Sequence, residues 1–184
     1  MTDPAGLIVS DLAAEFAAAP WFAHLGDQPS EADRHCVADY CTKLGFRRAM
    51  QVWLHDLSAA EDVLKRDAEM PEWRRAEADA AAALTQAAAA ALGGPTANAA
   101  VNRAMLAASD AAMAAARRIF PAHGRSDEAL MRVAAGAAAR AAGEYALVLL
   151  AGADPARHAF AAKQRIFAAG RWPLVAVEDQ FALL

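Results

Sequence analysis

Long stretches of this chain consist almost entirely of alanine, and this feature constrains its fold more than any other. One such stretch reads AEADAAAALTQAAAAAL over residues 76–92, and alanine supplies 55 of the 184 residues. Alanine has the highest intrinsic helix propensity, and its methyl side chain buries little surface. The composition therefore predicts an all-α protein whose helices pack at short distances, with the larger side chains concentrated at a few positions.

Capping residues, prolines and glycines divide the chain into helical segments. Asp3 and Asp154 each precede a proline, which is typical of a helix start, and Ser30 and Ser126 are further candidate N-caps. Glycines such as Gly93 are typical of helix ends. We predict helices over residues 4–18, 31–44, 47–66, 71–92, 97–120, 127–150 and 155–169. A chain of this length suits one domain, so we expect a compact bundle of six to seven alanine-rich helices.

The predicted helix over residues 127–150 is mostly apolar but contains two glycines and several charges. Gly136 and Gly143 are seven residues apart and share one face, where we expect another helix to approach closely. Arg132, Arg140 and Glu144 interrupt the apolar pattern. We interpret the arginines as a partly exposed edge of the bundle. The alternative is a polar pocket in which Glu144 pairs with a buried arginine.

After Gly170 the sequence RWPLVAVEDQFALL, residues 171–184, no longer follows a helical pattern. Pro173 cannot continue a helix, and apolar residues lie on both sides of the polar Glu178 and Asp179. This pattern predicts a short C-terminal β-hairpin or an extended tail. Because an isolated hairpin is marginally stable in water, it must pack on the helices or pair with another edge.

Two interpretations of the tail are open at this point. In the first, Trp172 and one apolar face of the hairpin cover the end of the helix bundle. In the second, the free edge or the other face of the hairpin binds a partner protein, for example by strand addition. For the second interpretation we predict contacts through Arg171, Trp172, Val175 and Phe181.

One row of polar residues has spacing compatible with a metal site. Glu31, His35 and Asp39 recur every four residues and share one helical face. Such a row can present two or three ligands to a metal, but it is also typical of an ordinary solvated helix surface. The chain lacks a His-Glu-x-x-His, Cys-x-x-Cys or phosphate-loop motif, so we expect no cofactor and treat the metal site as a weak alternative.

The charge distribution limits the classes of partner. The formal net charge of −4 disfavours nucleic-acid binding. Residues 1–92 carry 8 basic and 15 acidic side chains, whereas residues 93–184 carry 10 basic and 7 acidic ones. In the last helix, His158, Arg157, Lys163 and Arg165 are expected to form a solvated basic surface; the alternative is a surface that receives an acidic partner or a phosphate.

The sequence also predicts where the protein resides. Its first residues lack the basic region of a signal peptide. No segment reaches the run of about 18 uncharged apolar residues that a membrane span requires. We therefore expect a cytoplasmic protein that does not insert into a membrane.

These observations favour a non-enzymatic protein-binding or regulatory module with a protein partner. The uneven charge and the unusual tail support this prediction, and local spacing shows no catalytic constellation. Two alternatives stay open: a small-molecule-binding or metal-using enzyme built in a helical pocket, and a self-assembling homodimer whose alanine stripes pair across the interface. A site assembled from distant helices would leave no local spacing to detect.

Overall fold

The computed structural model describes residues 4–65, 70–177 and 179–184, which form seven α-helices and three β-strands. The helices are α1 (Pro4–Ala18), α2 (Glu31–Leu44), α3 (Leu57–Lys65), α4 (Pro71–Leu92), α5 (Gly94–Ile119), α6 (Glu128–Leu150) and α7 (Ala159–Ala168). The strands are β1 (Met50–Trp53), β2 (Pro173–Val177) and β3 (Gln180–Leu183). The prediction of a mostly helical bundle with a C-terminal hairpin is confirmed. Asp3, Arg66 and Glu178, on which parts of the prediction depend, lie outside the described residues.

The alanines of α5 and α6 pack against each other and form the centre of the bundle. The most extensive contact between any two elements is the one between these helices, and α1 also packs against α5. The fully buried alanines are Ala100, Ala104, Ala108, Ala112 and Ala116 of α5 and Ala134, Ala138, Ala141, Ala142 and Ala146 of α6. The stripes of α5 and α6 therefore pair with each other within one chain.

The two glycines of α6 have different surroundings. A Cβ atom built on Gly143 would lie 2.6 Å from Cγ of Met105 on α5, so this glycine does permit close helix approach, as predicted. A Cβ on Gly136 would meet no atom within 4 Å. The prediction of close packing is therefore wrong for Gly136, which instead lines a cavity.

The prediction of one helix over residues 47–66 is wrong in its first half. Residues 50–53 form strand β1, and helix α3 begins at Leu57, where the Asp56 carboxylate accepts a hydrogen bond from Ala59 N at 2.8 Å. The reason is tertiary: the C-terminal tail supplies a pairing partner. Met50 N donates to Asp179 O and Leu54 N donates to Leu183 O, each at 2.7 Å.

Two predicted helix starts shift along the chain. The N-cap of α6 is Asp127 rather than Ser126, because its carboxylate accepts a hydrogen bond from Ala129 N. Asp154 caps only a short 3₁₀ turn, Pro155–Arg157, and α7 begins after His158, whose Nδ1 accepts from Phe160 N at 3.2 Å. The predicted cap of α2 is confirmed: Ser30 and Asp33 form a reciprocal capping box.

The hairpin belongs to a three-stranded sheet in the order β1-β3-β2. Strand β3 runs parallel to β1 and antiparallel to β2. Before β2, Trp172 and Leu184 exchange backbone hydrogen bonds. The Trp172 ring packs against Phe22 and Phe120 in the main core, with ring centroids 6.0 Å apart in both pairs. The interpretation of Trp172 as a cover for the end of the bundle is confirmed.

Helix α6 is long and apolar enough to cross a membrane by length and composition. It is the one helix with this property among the residues that the structure describes. In this fold, 61% of its most apolar 18-residue window is buried inside the protein. The apolar character of α6 therefore matches its place at the centre of the bundle.

Candidate functional site

Three of the four predicted partner contacts lie in the interior. The exposed fractions of Arg171, Trp172 and Phe181 are 4%, 1% and 3%. Only Val175 is half-buried, and it lines a cavity. The other three side chains are buried between the helices and the sheet, and Phe181 lines the same cavity as Val175. Partner contact through these four residues stays a prediction, with three of the side chains buried in this fold.

Arg171 holds several elements together. Its guanidinium donates hydrogen bonds to the carbonyl oxygens of His24, Asp27 and Gln28, and Nη2 lies 2.9 Å from the Asp33 carboxylate. The guanidinium also lies over the ring of Trp53, 5.7 Å from its centroid. Arg171 therefore has a structural role that joins the tail to the loop before α2.

The structure does not bring the predicted metal ligands together. His35 Nδ1 lies 2.9 Å from the backbone oxygen of Glu31, and the Glu31 side chain is exposed. The Asp39 carboxylate accepts hydrogen bonds from Lys43 and Arg165, each at 2.6 Å. Across the described ranges, no group of three or more His, Cys, Asp or Glu side chains is arranged to hold a metal ion.

A cavity of about 320 Å³ lies where four helices meet the tail, and we call it the central cavity. Its lining residues come from α2 (Tyr40), α4 (Trp73, Glu77), α6 (Arg132, Val133, Gly136, Ala137, Arg140), α7 (Lys163, Phe167) and the tail (Pro173, Leu174, Val175, Phe181). The lining positions are far apart in sequence, so only the fold brings them together.

Buried polar side chains form one network at this cavity. Lys163 Nζ donates to Glu77 Oε1 at 2.7 Å and to Glu144 Oε2 at 3.0 Å. The Tyr40 hydroxyl donates to the same oxygen of Glu77. The side chains of Lys163, Glu77 and Glu144 are only 12%, 14% and 11% exposed. Tyr40, Glu77 and Lys163 line the cavity, whereas Glu144 contacts Lys163 from outside the lining.

The surroundings of these groups shift their pKa values in different directions. Burial opposes the charge of Lys163, but the Glu144 and Glu77 carboxylates outweigh it and raise the lysine pKa. Burial and the neighbouring Glu77 raise the pKa of Tyr40 well above its ordinary value. Burial also raises the pKa of Glu144, against the effect of Lys163. Lys163 is therefore held as a cation and Tyr40 as a neutral hydrogen-bond donor.

The mouth of the cavity carries a different set of groups. Arg132, Gly136 and Arg140 follow one another at intervals of four residues on one face of α6, and all three are exposed. Neither guanidinium has a hydrogen bond or an ion pair with any residue that the structure describes. The mouth is therefore positively charged and its backbone is uncovered at Gly136.

Aromatic side chains form an apolar wall. The Trp73 indole stacks between Phe46 and Phe181, with ring centroids 4.5 Å and 5.0 Å away. Trp73 also lines a second cavity of about 410 Å³ beside Phe46 and Met70. Among the described residues that line this second cavity, none belongs to a buried network of charged groups comparable to Lys163 and its carboxylates. The central cavity is therefore the stronger candidate for a functional site.

Sequence reasoning found part of this site and missed the rest. The interpretation of Arg132 and Arg140 as an exposed edge agrees with their exposure. Glu144 is buried, but its hydrogen-bonding partner is Lys163 rather than an arginine. The prediction that Lys163 lies on a solvated basic surface is wrong, because α4 and α6 each place a carboxylate against it.

No protein-family model, curated protein or solved structure matches this chain.

Proposed function

We propose that this chain is a small-molecule-binding domain whose ligand occupies the central cavity. The supporting observation is the buried network of Tyr40, Glu77 and Lys163 along a cavity whose remaining wall is largely apolar. Ligand sites commonly combine an apolar lining with a few convergent polar groups and perturbed pKa values. We therefore favour the small-molecule alternative over the protein-binding prediction, because three of the four predicted protein contacts are buried.

The size of the cavity supports a small ligand. Its volume of about 320 Å³ lies near the lower end of the range for small-molecule sites, about 300–1,000 Å³. A compact organic molecule therefore suits the cavity better than a large cofactor.

The protonation states at the cavity favour binding over turnover. A nucleophilic lysine must lose its proton, yet the pKa of Lys163 is raised by the two carboxylates. Tyr40 likewise holds its proton, since its pKa is raised by burial and by Glu77. Burial raises the pKa of Glu144, but this residue does not line the cavity. The groups that face a ligand thus offer fixed donors and acceptors.

The test is to look for a co-purified ligand and to block its site. Protein isolated from its own host is analysed by native mass spectrometry, and we expect an added mass above the 19.3 kDa chain. Gly136→Leu is the blocking variant, because a Cβ there meets no atom within 4 Å and the longer side chain projects at the cavity mouth. Ala114→Leu, at an exposed position of α5, is the matched control.

The expected result is an adduct in the wild type and in Ala114→Leu that is absent from Gly136→Leu. An adduct retained equally by both variants would place the ligand elsewhere and contradict the proposal. A wild type with no adduct, and no chemical-shift change at the cavity in a fragment screen by NMR, would also contradict it.

A protein-binding function is the second candidate, and β1 is the observation that favours it. Among the described residues this edge strand pairs only with β3, and its Met50 side chain is 51% exposed. An unpaired strand edge can accept a strand from a partner. A photo-crosslinker at position 50 should capture one protein repeatedly from host lysate, while one at position 114 should not. Equal labelling from both positions would reject this candidate.

A further inference from the structure

We infer that the ligand of the central cavity is an organic anion with a hydrophobic body, its acid group held between Arg132 and Arg140. This inference rests on the proposed function and adds the chemical class of the ligand. It follows from which basic side chains around the cavity form ion pairs with carboxylates and which do not.

The cation inside the cavity already has its partners. Lys163 contacts the carboxylates of Glu77 and Glu144 at 2.7 and 3.0 Å. An anionic ligand group placed here would compete with two buried carboxylates and be repelled by them. The acid group of a ligand is therefore not expected to lie deep in the cavity beside Lys163.

The cations at the mouth have no such partners. In the part of the chain that the structure describes, no acidic side chain forms an ion pair with Arg132 or Arg140. The guanidinium group is a planar fork that binds carboxylates through two parallel hydrogen bonds. Glu128 and Glu144 lie near enough to Arg132 and Arg140 to interact with them electrostatically, but neither forms a direct ion pair with them, so both guanidinium groups can still bind an anion. A positively charged ligand group would be repelled at the same place, so the mouth favours anions.

Gly136 lies between the two arginines and leaves room for an acid group. It is four residues from each of them on the same face of α6, and a Cβ built there meets nothing within 4 Å. A ligand can therefore approach the helix surface between the two side chains. Glycine is the residue that permits such an approach, since any side chain would narrow the gap.

The walls beyond the mouth suit a hydrophobic body. Trp73, Leu174 and Val175 line the cavity beside the arginines, and Phe181 stacks on Trp73. Burial of apolar surface favours binding of a hydrocarbon or aromatic group here. An inorganic anion would use the arginines alone, so the apolar wall distinguishes an organic acid from free phosphate.

Three probes of matched shape test this inference. They are 4-phenylbutanoate, 4-phenylbutanamide and 4-phenylbutylamine, titrated into the intact chain at pH 7 and low ionic strength and followed by NMR shifts of the cavity residues. We expect the acid to bind at least about tenfold more tightly than the amide, as a charge-assisted hydrogen bond predicts. The amine should bind more weakly than the amide. Inorganic phosphate alone should bind more weakly than the acid.

Arginine variants locate the acid group. Arg132→Gln and Arg140→Gln should each weaken binding of the acid about tenfold and leave binding of the amide nearly unchanged. Arg118→Gln, at an exposed position of α5, should change neither. Circular dichroism melting checks the fold of the three variants, and we expect equal melting temperatures because the substituted side chains are exposed.

The outcomes separate this inference from the proposed function. Equal binding of acid and amide, insensitive to both arginine variants, overturns the inference and leaves the cavity as a ligand site. Preferential binding of the amine overturns it as well. Failure of all three probes also overturns it, and the adduct experiment with Gly136→Leu then decides independently whether the cavity binds a ligand.

Discussion

Arg171 and Asp33 form an ion pair across 138 positions of sequence, with Nη2 of the arginine 2.9 Å from the carboxylate. The pair joins a residue two positions before β2 to the capping box of α2. Burial opposes the charge of Asp33, but hydrogen bonds from Ser30 and the Arg171 guanidinium outweigh it and lower the carboxyl pKa. The tail is therefore tied to the first half of the chain by a charged contact as well as by the apolar packing of Trp172.

Replacing Arg171 should destabilise the fold strongly. Arg171→Lys keeps the charge but cannot reach three carbonyl oxygens and one carboxylate together. We expect the free energy of unfolding in urea to fall by about 3 kcal/mol, the scale for breaking a buried pair. Arg118→Lys, on the surface of α5, should change it by less than about 0.5 kcal/mol. Equal stability of the two variants would contradict a structural role for Arg171.

Replacing Lys163 should also lower the free energy of unfolding, and removing the two carboxylates that it pairs with should restore part of that free energy. Lys163→Met leaves Glu77 and Glu144 buried without their cation, so we expect a loss of about 3–5 kcal/mol at neutral pH. Combining it with Glu77→Gln and Glu144→Gln removes the uncompensated charges and should recover much of that loss. Chemical unfolding at pH 7 measures both. If the triple variant is no more stable than Lys163→Met, the loss of stability in Lys163→Met does not come from the unpaired carboxylates.

The two glycines of α6 should respond oppositely to alanine. Gly136→Ala gains helix propensity and meets no neighbour, so we expect stabilisation of up to about 1 kcal/mol. Gly143→Ala gains the same propensity but forces Met105 to move, because the new methyl would lie 2.6 Å from its Cγ. We expect a net loss of stability at 143. Thermal melting of both variants tests this, and equal shifts in Tm would contradict the close contact with α5.

Local signals predicted the helices well where a residue acts on its own neighbours. Ser30 and Asp33 form the expected capping box because their hydrogen bonds span only a few residues. Helix α4 covers the predicted range because Pro71 and Gly93 act locally at its two ends. The local pattern wrongly predicts a helix at residues 50–53, because their partner strand lies at the far end of the chain. Pairing over that separation leaves no trace in the local pattern.

The central cavity illustrates the same limit more sharply. Tyr40, Glu77 and Lys163 each lie on a different helix, and none of them belongs to a recognisable motif. Only the charges within α6 gave a signal, since Arg132 and Arg140 interrupt an apolar helix. That signal identified an edge of the bundle but did not locate the cavity. The other walls of the cavity are formed mainly by α4, α7 and the tail, which are distant from the arginines in sequence.

Gln164 should be replaceable by leucine with a gain in stability. Its side chain is 3% exposed, and neither Nε2 nor Oε1 has a hydrogen-bond partner among the described residues. An unsatisfied buried amide costs about 1–3 kcal/mol, and leucine has a similar shape without polar atoms. We expect Gln164→Leu to raise the urea midpoint, with Gln164→Glu lowering it. Destabilisation by leucine would show that the amide has a partner, such as a buried water.

His158 should make the stability of α7 depend on pH. Its Nδ1 caps the helix by accepting a hydrogen bond from Phe160 N, which requires the neutral imidazole. Burial and then the nearby Lys43 lower the pKa of His158, so the folded state binds a proton less readily than the unfolded chain. The stabilisation is complete above the ordinary histidine pKa of about 6.5 and is lost as the pH falls below it towards the folded-state value.

We therefore expect wild-type protein to lose up to about 1 kcal/mol of unfolding free energy between pH 8 and pH 5.5 through this cap. His158→Asn is the matched control, because the asparagine oxygen accepts the same hydrogen bond without titrating. Urea unfolding of both proteins at the two pH values isolates the effect, since the other four histidines are exposed and common to both. Parallel pH profiles for wild type and variant would rule out His158 as the titrating cap.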